Sequence, residues 1–355
     1  MIEEGLKLTT YFGERQRVQG RFLADAQLDL FGRHGLATSI LLRGAEGFGL
    51  KHHLRSDRLL TLSEDLPLVS VAVDTRPRIE AVLDELRSVQ RTGLITLERA
   101  RLLRGKLGVT ALPEELHEAT KLTVYVGRRE RVGRTPAYAA VCDLLHRRGV
   151  AGATVLLGVD GTAHGQRRRA RFFAGNDDVP MMIIAVGSGD RIGAALPELG
   201  ALLERPLVTL ERVRVCKRAG ELVEPPHALP GSDASGLPMW QKLMIYTSEG
   251  ALHGGQPVHR AIVQRLRRSG ARGATALRGV RGFAGNDPPH GDRLLQLGRR
   301  VPVLTVVIDA PDRVAASFAV VDELTGGHGV VTSEMVPALA GDADGDGLRL
   351  ARHPY

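Results

Sequence analysis

The chain has 355 residues, of which 43% are hydrophobic and 25% charged, an ordinary balance for a globular protein of two or three domains. No apolar run is long enough to cross a bilayer, the amino-terminal MIEEGLK lacks the features of a signal peptide, and two cysteines make no disulfide framework, so we expect a cytoplasmic protein. The net charge of +8 makes nucleic acid and anionic membranes worth considering, but interleaved acidic residues and few aromatics argue against specific nucleic-acid binding.

The chain contains three related copies of one sequence pattern. The copies begin with LKLTTYFGE (6–14), TKLTVYVGR (120–128) and QKLMIYTSE (241–249), aligned on Lys7, Lys121 and Lys242. Glycines, a proline and a closing TLE or TSE follow each lysine at matching distances, apart from one-residue insertions or deletions. We therefore predict three repeats, over 6–103, 120–216 and 241–338.

Each repeat is predicted to contain a strand, a helix, a strand, a long loop, a strand, a helix and a strand. In repeat 2 the first strand alternates, with Leu122, Val124 and Val126 on one face and Thr123 and Tyr125 on the other. The third strand is continuously apolar, which is typical of a central strand. The order βαββαβ is that of the ferredoxin-like split motif, so the fold class is α+β with three ferredoxin-like domains.

The helix boundaries are predicted from their end signals. The first helix is amphipathic, with Val258, Ile262 and Leu266 on one face in repeat 3. It ends before a glycine suited to the left-handed conformation, which is Gly35, Gly149 or Gly270. The second helix is predicted to begin near Pro77, Asp190 or Asp312.

Three segments lie outside the repeats. Residues 104–119 are predicted to be a short linker, and residues 217–240, rich in Pro, Gly and Ser, a second one. Residues 339–355 are rich in Gly and Asp and are predicted to form a flexible tail.

A glycine-rich stretch follows the second strand of each repeat. The sequence LLRGAEGFGLKH (41–52) resembles a phosphate-binding loop, but its lysine is one place late and a loop, not a helix, follows. The stretch recurs as GVDGTAHG (158–165) and GVRGFAGN (279–286). We predict that its glycines allow positive φ angles and close backbone approach, within a loop long enough to be functional.

The combined motifs resemble a known family. In repeat 1 they comprise Gly13, Glu14, Arg43, Gly44, Gly47, Phe48, Gly49, Glu64, Asp65, Pro67 and Thr96. Together they resemble the PII-like family catalogued as domain of unknown function 190, and the resemblance covers all three repeats.

The resemblance implies a fold like that of PII signal proteins, which are trimers with their sheets facing a threefold axis and their helices outside. Small effectors bind between subunits of such trimers, and the loop after the second strand contacts a target protein. Three fused copies would form the ring within one chain, as a monomeric pseudo-trimer. The glycine-rich loop that PII proteins carry after the second helix is absent in this chain, because RSVQRTGLIT (87–96) is not its equivalent, so ATP binding does not carry over.

The candidate site residues lie in and after the glycine-rich stretches. Those predicted to bind a small anionic effector, for which a nucleotide is one candidate, are Arg43, Gly44, Gly47, Phe48, Gly49, Arg278, Gly279, Gly282 and Phe283. Those predicted to contact a partner protein are Lys51, His52, His53, Arg55, Arg167, Arg168, Arg169 and Arg171, whose guanidinium groups suit oxyanions or an acidic surface. Family members are often encoded beside a fluoride-channel protein, so a membrane transporter is one candidate partner.

Other interpretations of these segments stay open. The glycine stretches could be plain connections, the arginines a solvated basic loop, and the adjacent His52 and His53 surface residues rather than metal ligands. The function could also be that of an enzyme acting on a small phosphorylated compound, or of a structural pseudo-trimer without a ligand.

The remaining motifs favour neither catalysis nor a cofactor. The sequence DADGDG (342–347) matches the start of a calcium loop, but His353 stands where the bidentate Glu should be. We find no catalytic triad, zinc motif or repeated nucleophile. Cys142 and Cys216 are predicted to be small core residues.

Overall fold

A computed structural model describes residues 2–49, 54–56, 65–108, 111–163, 166–167, 179–285, 288–291, 301–340 and 349–353. The helices and strands of these residues fall into three repeats.

Repeat 1 contains β1 (Ile2–Gly13), β2 (Arg17–Val18), β3 (Arg21–Phe22), α1 (Leu23–Arg33), β4 (Thr38–Phe48), β5 (Arg55–Ser56), β6 (Pro67–Thr75), α2 (Arg76–Val89) and β7 (Leu94–Arg104). A short 3₁₀ helix (Glu114–Leu116) follows. Repeat 2 contains β8 (Thr120–Gly127), β9 (Arg131–Val132), β10 (Thr135–Pro136), α3 (Ala137–Arg147), β11 (Gly152–Leu157), β12 (Asp160–Ala163), β13 (Gln166–Arg167), β14 (Pro180–Gly187), α4 (Gly189–Leu202), β15 (Leu207–Arg212) and β16 (Arg214–Arg218).

After β17 (Glu221–Leu222), repeat 3 contains β18 (Trp240–Ser248), β19 (Leu252–His253), β20 (Gln256–Pro257), α5 (Val258–Arg268), β21 (Ala274–Arg278), β22 (Arg281–Ala284), β23 (His290–Gly291), β24 (Pro302–Asp309), α6 (Pro311–Thr325), β25 (Val330–Val336) and β26 (Ala338–Ala340).

The main strands pair in the same order in all three repeats. The order is β7-β1-β6-β4 in repeat 1, β15-β8-β14-β11 in repeat 2 and β25-β18-β24-β21 in repeat 3, and every pairing is antiparallel. If the four main strands of a repeat are numbered along the chain, this order is 4-1-3-2. The third strand is therefore flanked on both sides, which explains why it is buried along almost its whole length and mainly apolar, although β6 contains Ser70 and Asp74 and β24 contains Thr305 and Asp309.

The helices cover one face of each repeat. Val258, Ile262 and Leu266 of α5 are all buried, as the amphipathic pattern predicts. The first helices end before Gly35, Gly149 and Gly270, whose φ angles of 57°, 67° and 80° confirm the predicted left-handed ends. Pro77, Asp190 and Asp312 are each the second residue of their helix, so the predicted starts are one or two residues late.

The three repeats join edge to edge into one 20-stranded sheet of the described residues. On one side, β7 pairs with β15, β16 pairs with β25, and β26 returns from the end of repeat 3 to pair with β7. On the other side, residues at the end of the second strand of repeat 1, or just after the second strand of repeats 2 and 3, pair with the second strand of a neighbour. The sheet therefore closes around an axis that relates the three repeats.

The described residues form four large hydrophobic cores and one small one around Leu229, Met239 and Ala351. Three cores each lie between the two helices and the sheet of one repeat, and include Leu28 in repeat 1, Leu145 in repeat 2 and Leu266 in repeat 3. The fourth core combines inward-facing residues of all three sheets, such as Val71, Ile184 and Val306. Both faces of the sheet are thus buried. This explains why Leu122 and Tyr125 are both buried although they lie on opposite faces of β8.

The segments between and after the repeats are packed where they are described. In the first linker, backbone atoms of Leu107 lie against Gly200 of α4. At the carboxyl end, Arg99 donates a hydrogen bond to the carbonyl of the buried Ala351, and the backbone N–H of Arg352 donates to Asp233. Residues 349–353 of the predicted flexible tail are therefore held against the repeats, while the calcium-like sequence at 342–347 lies outside the described residues. No helix in the described part of the chain is long and apolar enough to cross a membrane.

Candidate functional site

A ring of six buried charges lies on the axis where the three sheets meet. Its members are three lysines and three glutamates: Lys7, Lys121, Lys242, Glu98, Glu211 and Glu334. Each lysine contacts the glutamate of its own repeat and that of one neighbour. The own-repeat distances from Nζ to Oε2 are 3.2, 3.1 and 2.8 Å, and the contacts between repeats are Lys7–Glu211, Lys121–Glu334 and Lys242–Glu98.

Strand register places these charges on the axis. Lys7 is opposite Glu98 in the pairing of β1 with β7, and the other two pairs occupy the same register in their repeats. Because side chains alternate along a strand, these lysines share the axial face with residues such as Tyr11 and Tyr125. The lysines are 8%, 1% and 3% exposed, and each glutamate is 3% exposed.

The opposite charges hold most of the ring ionised. Burial lowers the pKa of Lys7 and Lys242, but their carboxylate neighbours outweigh it, and both pKa values lie above the ordinary 10.5. Burial, reinforced by repulsion from the other two ammonium groups, lowers the pKa of Lys121 to about 8. Burial raises the pKa of Glu98 and Glu334, but the ammonium groups outweigh it and both values lie below 4.5. Lys7, Lys242, Glu98 and Glu334 are therefore ionised at neutral pH, and the ring holds one carboxyl group for each amino group.

A small cavity adjoins the ring on the axis. Its volume is about 40 Å³, room for about three water molecules. Four members of the ring, Lys7, Glu98, Lys121 and Lys242, line it together with strand residues such as Thr9, Thr123 and Met244. Burial raises the pKa of the Tyr11, Tyr125 and Tyr246 hydroxyls, so they stay protonated.

The glutamates are close enough to act as metal ligands, but their charges are already matched. One carboxylate oxygen from each of Glu98, Glu211 and Glu334 lies within 4.8 Å of the others. The same carboxylates are bonded to the three ammonium groups. A metal ion could bind the carboxylates only if these ammonium groups moved away or lost a proton. The ring is therefore best explained as the element that fixes the relative positions of the repeats, because each ammonium group needs carboxylates from two of them.

The predicted glycine stretches form the joints between repeats. We call them arms: arm 1 is residues 44–48 with β5, arm 2 is β12 with β13, and arm 3 is β22 with β23. Each arm is a hairpin lying on the second strand of a neighbour. Arm 1 lies on β21 of repeat 3, arm 3 on β11 of repeat 2, and arm 2 on β4 of repeat 1.

The arm glycines permit close contact with the neighbouring backbone. A Cβ on Gly47 would lie 2.7 Å from the carbonyl oxygen of Ala274, and a Cβ on Gly282 would lie 2.4 Å from that of Ala153. Gly44 and Gly279 are similarly close to Pro67 and Pro302. The predicted close approach is confirmed. The predicted positive φ angle is confirmed for Gly285 of the third stretch, at 58°, but is wrong for these four glycines, which lie in or beside extended strands.

The arm aromatics insert into the neighbouring repeats. Phe48 belongs to the helix–sheet core of repeat 3, and Phe283 to that of repeat 2, where its ring meets His146 edge to face at 5.1 Å. Gly49 follows β4, and no described atom lies within 4 Å of a Cβ built on it. The geometry thus gives the two phenylalanines a packing role, and effector binding by these residues stays a prediction.

The predicted anion-binding arginines form ion pairs at the start of arms 1 and 3. Arg43 lies 3.0 Å from Glu14, and Arg278 lies 3.1 Å from Glu249. Their side chains are 50% and 36% exposed. Repeat 2 has Leu157 and Arg128 at the corresponding positions, so this pair is not possible there.

Most residues predicted to contact a partner lie outside the described residues, namely Lys51, His52, His53, Arg168, Arg169 and Arg171. Arg55 lies on β5 and pairs with Asp65 at 2.8 Å. Arg167 ends β13, for which only the backbone is described.

The two cysteines are core residues, as predicted. Cys142 and Cys216 are buried, and burial raises the pKa of each thiol to about 12. Sequence reasoning missed the axial ring, although its lysines and glutamates stood in the aligned motifs. The signal that could have found it was a lysine in the first strand and a glutamate in the last strand, retained at matching positions in all three copies.

The fold and site define a class of protein: a single chain in which three βαββαβ repeats close into a ring on a buried network of ion pairs. The chain belongs to the family DUF190, described as Uncharacterized ACR, COG1993, whose model matches residues 5–102, 119–215 and 240–338. A curated relative is the UPF0166 protein of Aquifex aeolicus (strain VF5), which is 29% identical over 98 residues, covering 27% of this chain and 90% of the relative. That relative is comparable in length to one repeat of this chain.

Proposed function

We propose that this protein is a PII-like regulatory protein. A small anionic effector binds in a cleft between repeats, alters the arms, and so changes contact with a partner protein. The βαββαβ order of each repeat is that of the ferredoxin-like split motif, and the closed ring is the arrangement expected of three fused PII-like subunits.

The position of the arms carries this proposal. Each arm begins in one repeat and lies on another, so a ligand that binds at a joint touches two repeats and one arm together. The segment after each arm starts from that joint. A change in the joint would therefore alter the direction in which the following segment leaves the ring, and we propose that this segment contacts the partner.

The arginine pairs give two joints a means of binding an anion. The guanidinium groups of Arg43 and Arg278 are partly exposed, and each pairs with a carboxylate, that of Glu14 or Glu249. An anion such as a phosphate group could compete for the same guanidinium, because Arg forms paired hydrogen bonds with oxyanions. Since repeat 2 has Leu157 at this position, we expect two such effector sites and not three.

The partner side of the proposal rests on the basic composition after the arms. Arg55 and Arg167 lie on the returning strands of arms 1 and 2, and the sequence QRRRAR (166–171) continues arm 2. Such a segment suits an acidic protein surface. A membrane transporter such as a fluoride channel is suggested by the family resemblance alone.

Thermal-shift measurements with ATP, ADP, AMP, cyclic nucleotides and phosphate test the effector. A ligand bound only by the folded state stabilises it by about 2.7 kcal/mol at 100 times its Kd. The double variant R43A/R278A should lose the shift. The control R265A should retain it, because Arg265 is also 50% exposed and paired with a glutamate, but that glutamate, Glu323, lies on α6 and neither residue belongs to an arm.

The outcomes separate the rival functions. A shift lost in R43A/R278A alone supports the regulatory function, whereas turnover of the added nucleotide would favour an enzyme. The absence of any shift would favour a ligand-free structural ring. That rival is supported by one observation: the arm glycines and phenylalanines already have packing roles.

A further inference from the structure

The three joints share one backbone arrangement but differ in side chains. In each joint an arm pairs in antiparallel register with the second strand of its neighbour over about four residues. Two glycines in or just before each arm lie close to the neighbouring repeat or to the proline that begins the third strand; for arm 2 these are Gly161 and, just before the arm, Gly158. Apart from a register shift next to Gly44 in the joint of arm 1, the main difference between the joints lies in their side chains.

Two joints are held by a phenylalanine. Phe48 of arm 1 is opposite Ala274, and Phe283 of arm 3 is opposite Ala153. Both rings are buried, with 4% and 5% exposure, in the helix–sheet core of the neighbouring repeat. Removing such a ring from its core exposes a large apolar surface to water.

In the joint of arm 2, hydroxyl residues stand in place of both the phenylalanine and the alanine. Thr162 of arm 2 is opposite Ser39, at the positions of phenylalanine and alanine in the other joints. The hydroxyl oxygens of Ser39 and Thr162 are 2.8 Å apart, and Thr38 donates a hydrogen bond of 3.1 Å to the carbonyl of Thr162. All three side chains are buried.

The exchange changes the cost of separating the joint. When the joint opens, hydroxyl groups recover hydrogen bonds from water, so little of their bonding is lost. A phenylalanine ring forms no such hydrogen bonds with water, so its exposure on opening is unfavourable.

The joints of arms 1 and 3 also contain ion pairs. Arg260 of α5 lies 3.6 Å from Glu46 of arm 1, and both side chains are buried. Arg281 of arm 3 lies 2.7 Å from Asp143 of α3. At the corresponding position of arm 2, Asp160 is also partnered, and among its contacts its carboxylate accepts a hydrogen bond from the backbone N–H of Gly161. These polar contacts therefore do not rank the joints, and the exchange of phenylalanine for threonine carries the comparison. Each joint thus has its own set of side chains.

We infer that the joint between arm 2 and repeat 1 is the one that opens in the native ring. Arm 2 separates from β4 while arms 1 and 3 stay bound. Repeats 1 and 2 remain connected during opening, because β7 and β15 pair on the other side of the sheet. This inference goes beyond the proposed function and requires no effector.

Hydrogen exchange on the full chain without ligand, read by mass spectrometry, tests the inference. We expect the amides of residues 160–163 to exchange at least roughly tenfold faster than those of 281–284 and 44–48, since local opening controls exchange in native proteins. Equal protection of the three arms would overturn the inference. This comparison uses the unaltered protein.

Two double variants exchange the side chains between joints. S39A/T162F installs the phenylalanine and alanine at arm 2 and should slow its exchange towards that of arm 3. A153S/F283T installs the hydroxyl pair at arm 3 and should speed its exchange towards that of arm 2, with no risk of overfilling the core. If A153S/F283T leaves the exchange of arm 3 unchanged, the side chains do not set the opening and the inference fails.

Discussion

The ammonium group of Lys7 in repeat 1 is bonded to the carboxylate of Glu211 in repeat 2, 204 residues further along the chain. The two groups come from different repeats and meet where almost no water can solvate either of them. Burying charges is costly unless each finds its partners, so the bond is possible only when the repeats take one relative position. The other two lysines repeat this relationship around the axis.

Removing one member of the ring should destabilise the whole chain. K121M leaves Glu211 and Glu334 without one of their two ammonium partners in a buried site. We expect the free energy of unfolding to fall by about 3–5 kcal/mol, as for other broken buried ion pairs. Urea denaturation measures this change. R265A, which breaks an exposed pair, should cost less than about 1 kcal/mol, and an equal cost for both would contradict the role of the ring.

The ring should also make the protein sensitive to acid. The folded pKa values of Glu98 and Glu334 lie below the ordinary 4.5, so both contribute stability that is complete above pH 4.5 and is lost as the pH falls through the folded values. Urea midpoints measured at decreasing pH should therefore decline below pH 4.5. A variant with Glu98→Gln should start lower and decline less steeply. An unchanged slope in this variant would show that Glu98 does not carry the linkage.

Two glycines of one segment should respond differently to alanine. In G47A the new Cβ would lie 2.7 Å from the backbone oxygen of Ala274, so the joint between repeats 1 and 3 must shift. We expect a loss of about 1–3 kcal/mol, seen as a fall of several degrees in Tm without ligand. G49A, two residues away, has no described atom within 4 Å and should leave Tm unchanged. If both variants keep the parent Tm, Gly47 has no steric role.

A disulfide should form across the joint of arm 2. The side-chain oxygens of Ser39 and Thr162 are 2.8 Å apart, so S39C/T162C brings two sulfur atoms within bonding reach. Peptide mapping of the oxidised protein should find residues 39 and 162 linked. Cys142 and Cys216 should stay reduced, because burial raises the pKa of both thiols to about 12. A link between 39 or 162 and either native cysteine would contradict the register of β12 on β4.

The three repeats and the order of their strands and helices could be predicted from the sequence. Matching lysines, glycines and prolines showed three copies, and helix-end glycines such as Gly35 marked boundaries by their conformational requirement. The arms were harder to foresee. A glycine-rich segment suggests a loop, whereas Gly47 is extended because it pairs with β21 of repeat 3. A glycine is needed there because the neighbouring strand leaves no room for a side chain.

The axial ring was not predicted because a charged residue on a strand normally faces solvent. Lys121 and Glu211 lie within one repeat, and their pattern shows only that they are opposite each other. What buries them is the contact with the other two sheets, which no single repeat contains. The insertion of Phe48 into repeat 3 was missed for the same reason.

Crystallographic determination of the side-chain position of Lys7 tests the central claim most directly. If the three repeats close around a shared axis, its Nζ atom will lie within bonding distance of both Glu98 and Glu211, buried between repeats 1 and 2. A crystal structure in which Lys7 faces solvent, or in which these two repeats are separated, would contradict the closed ring.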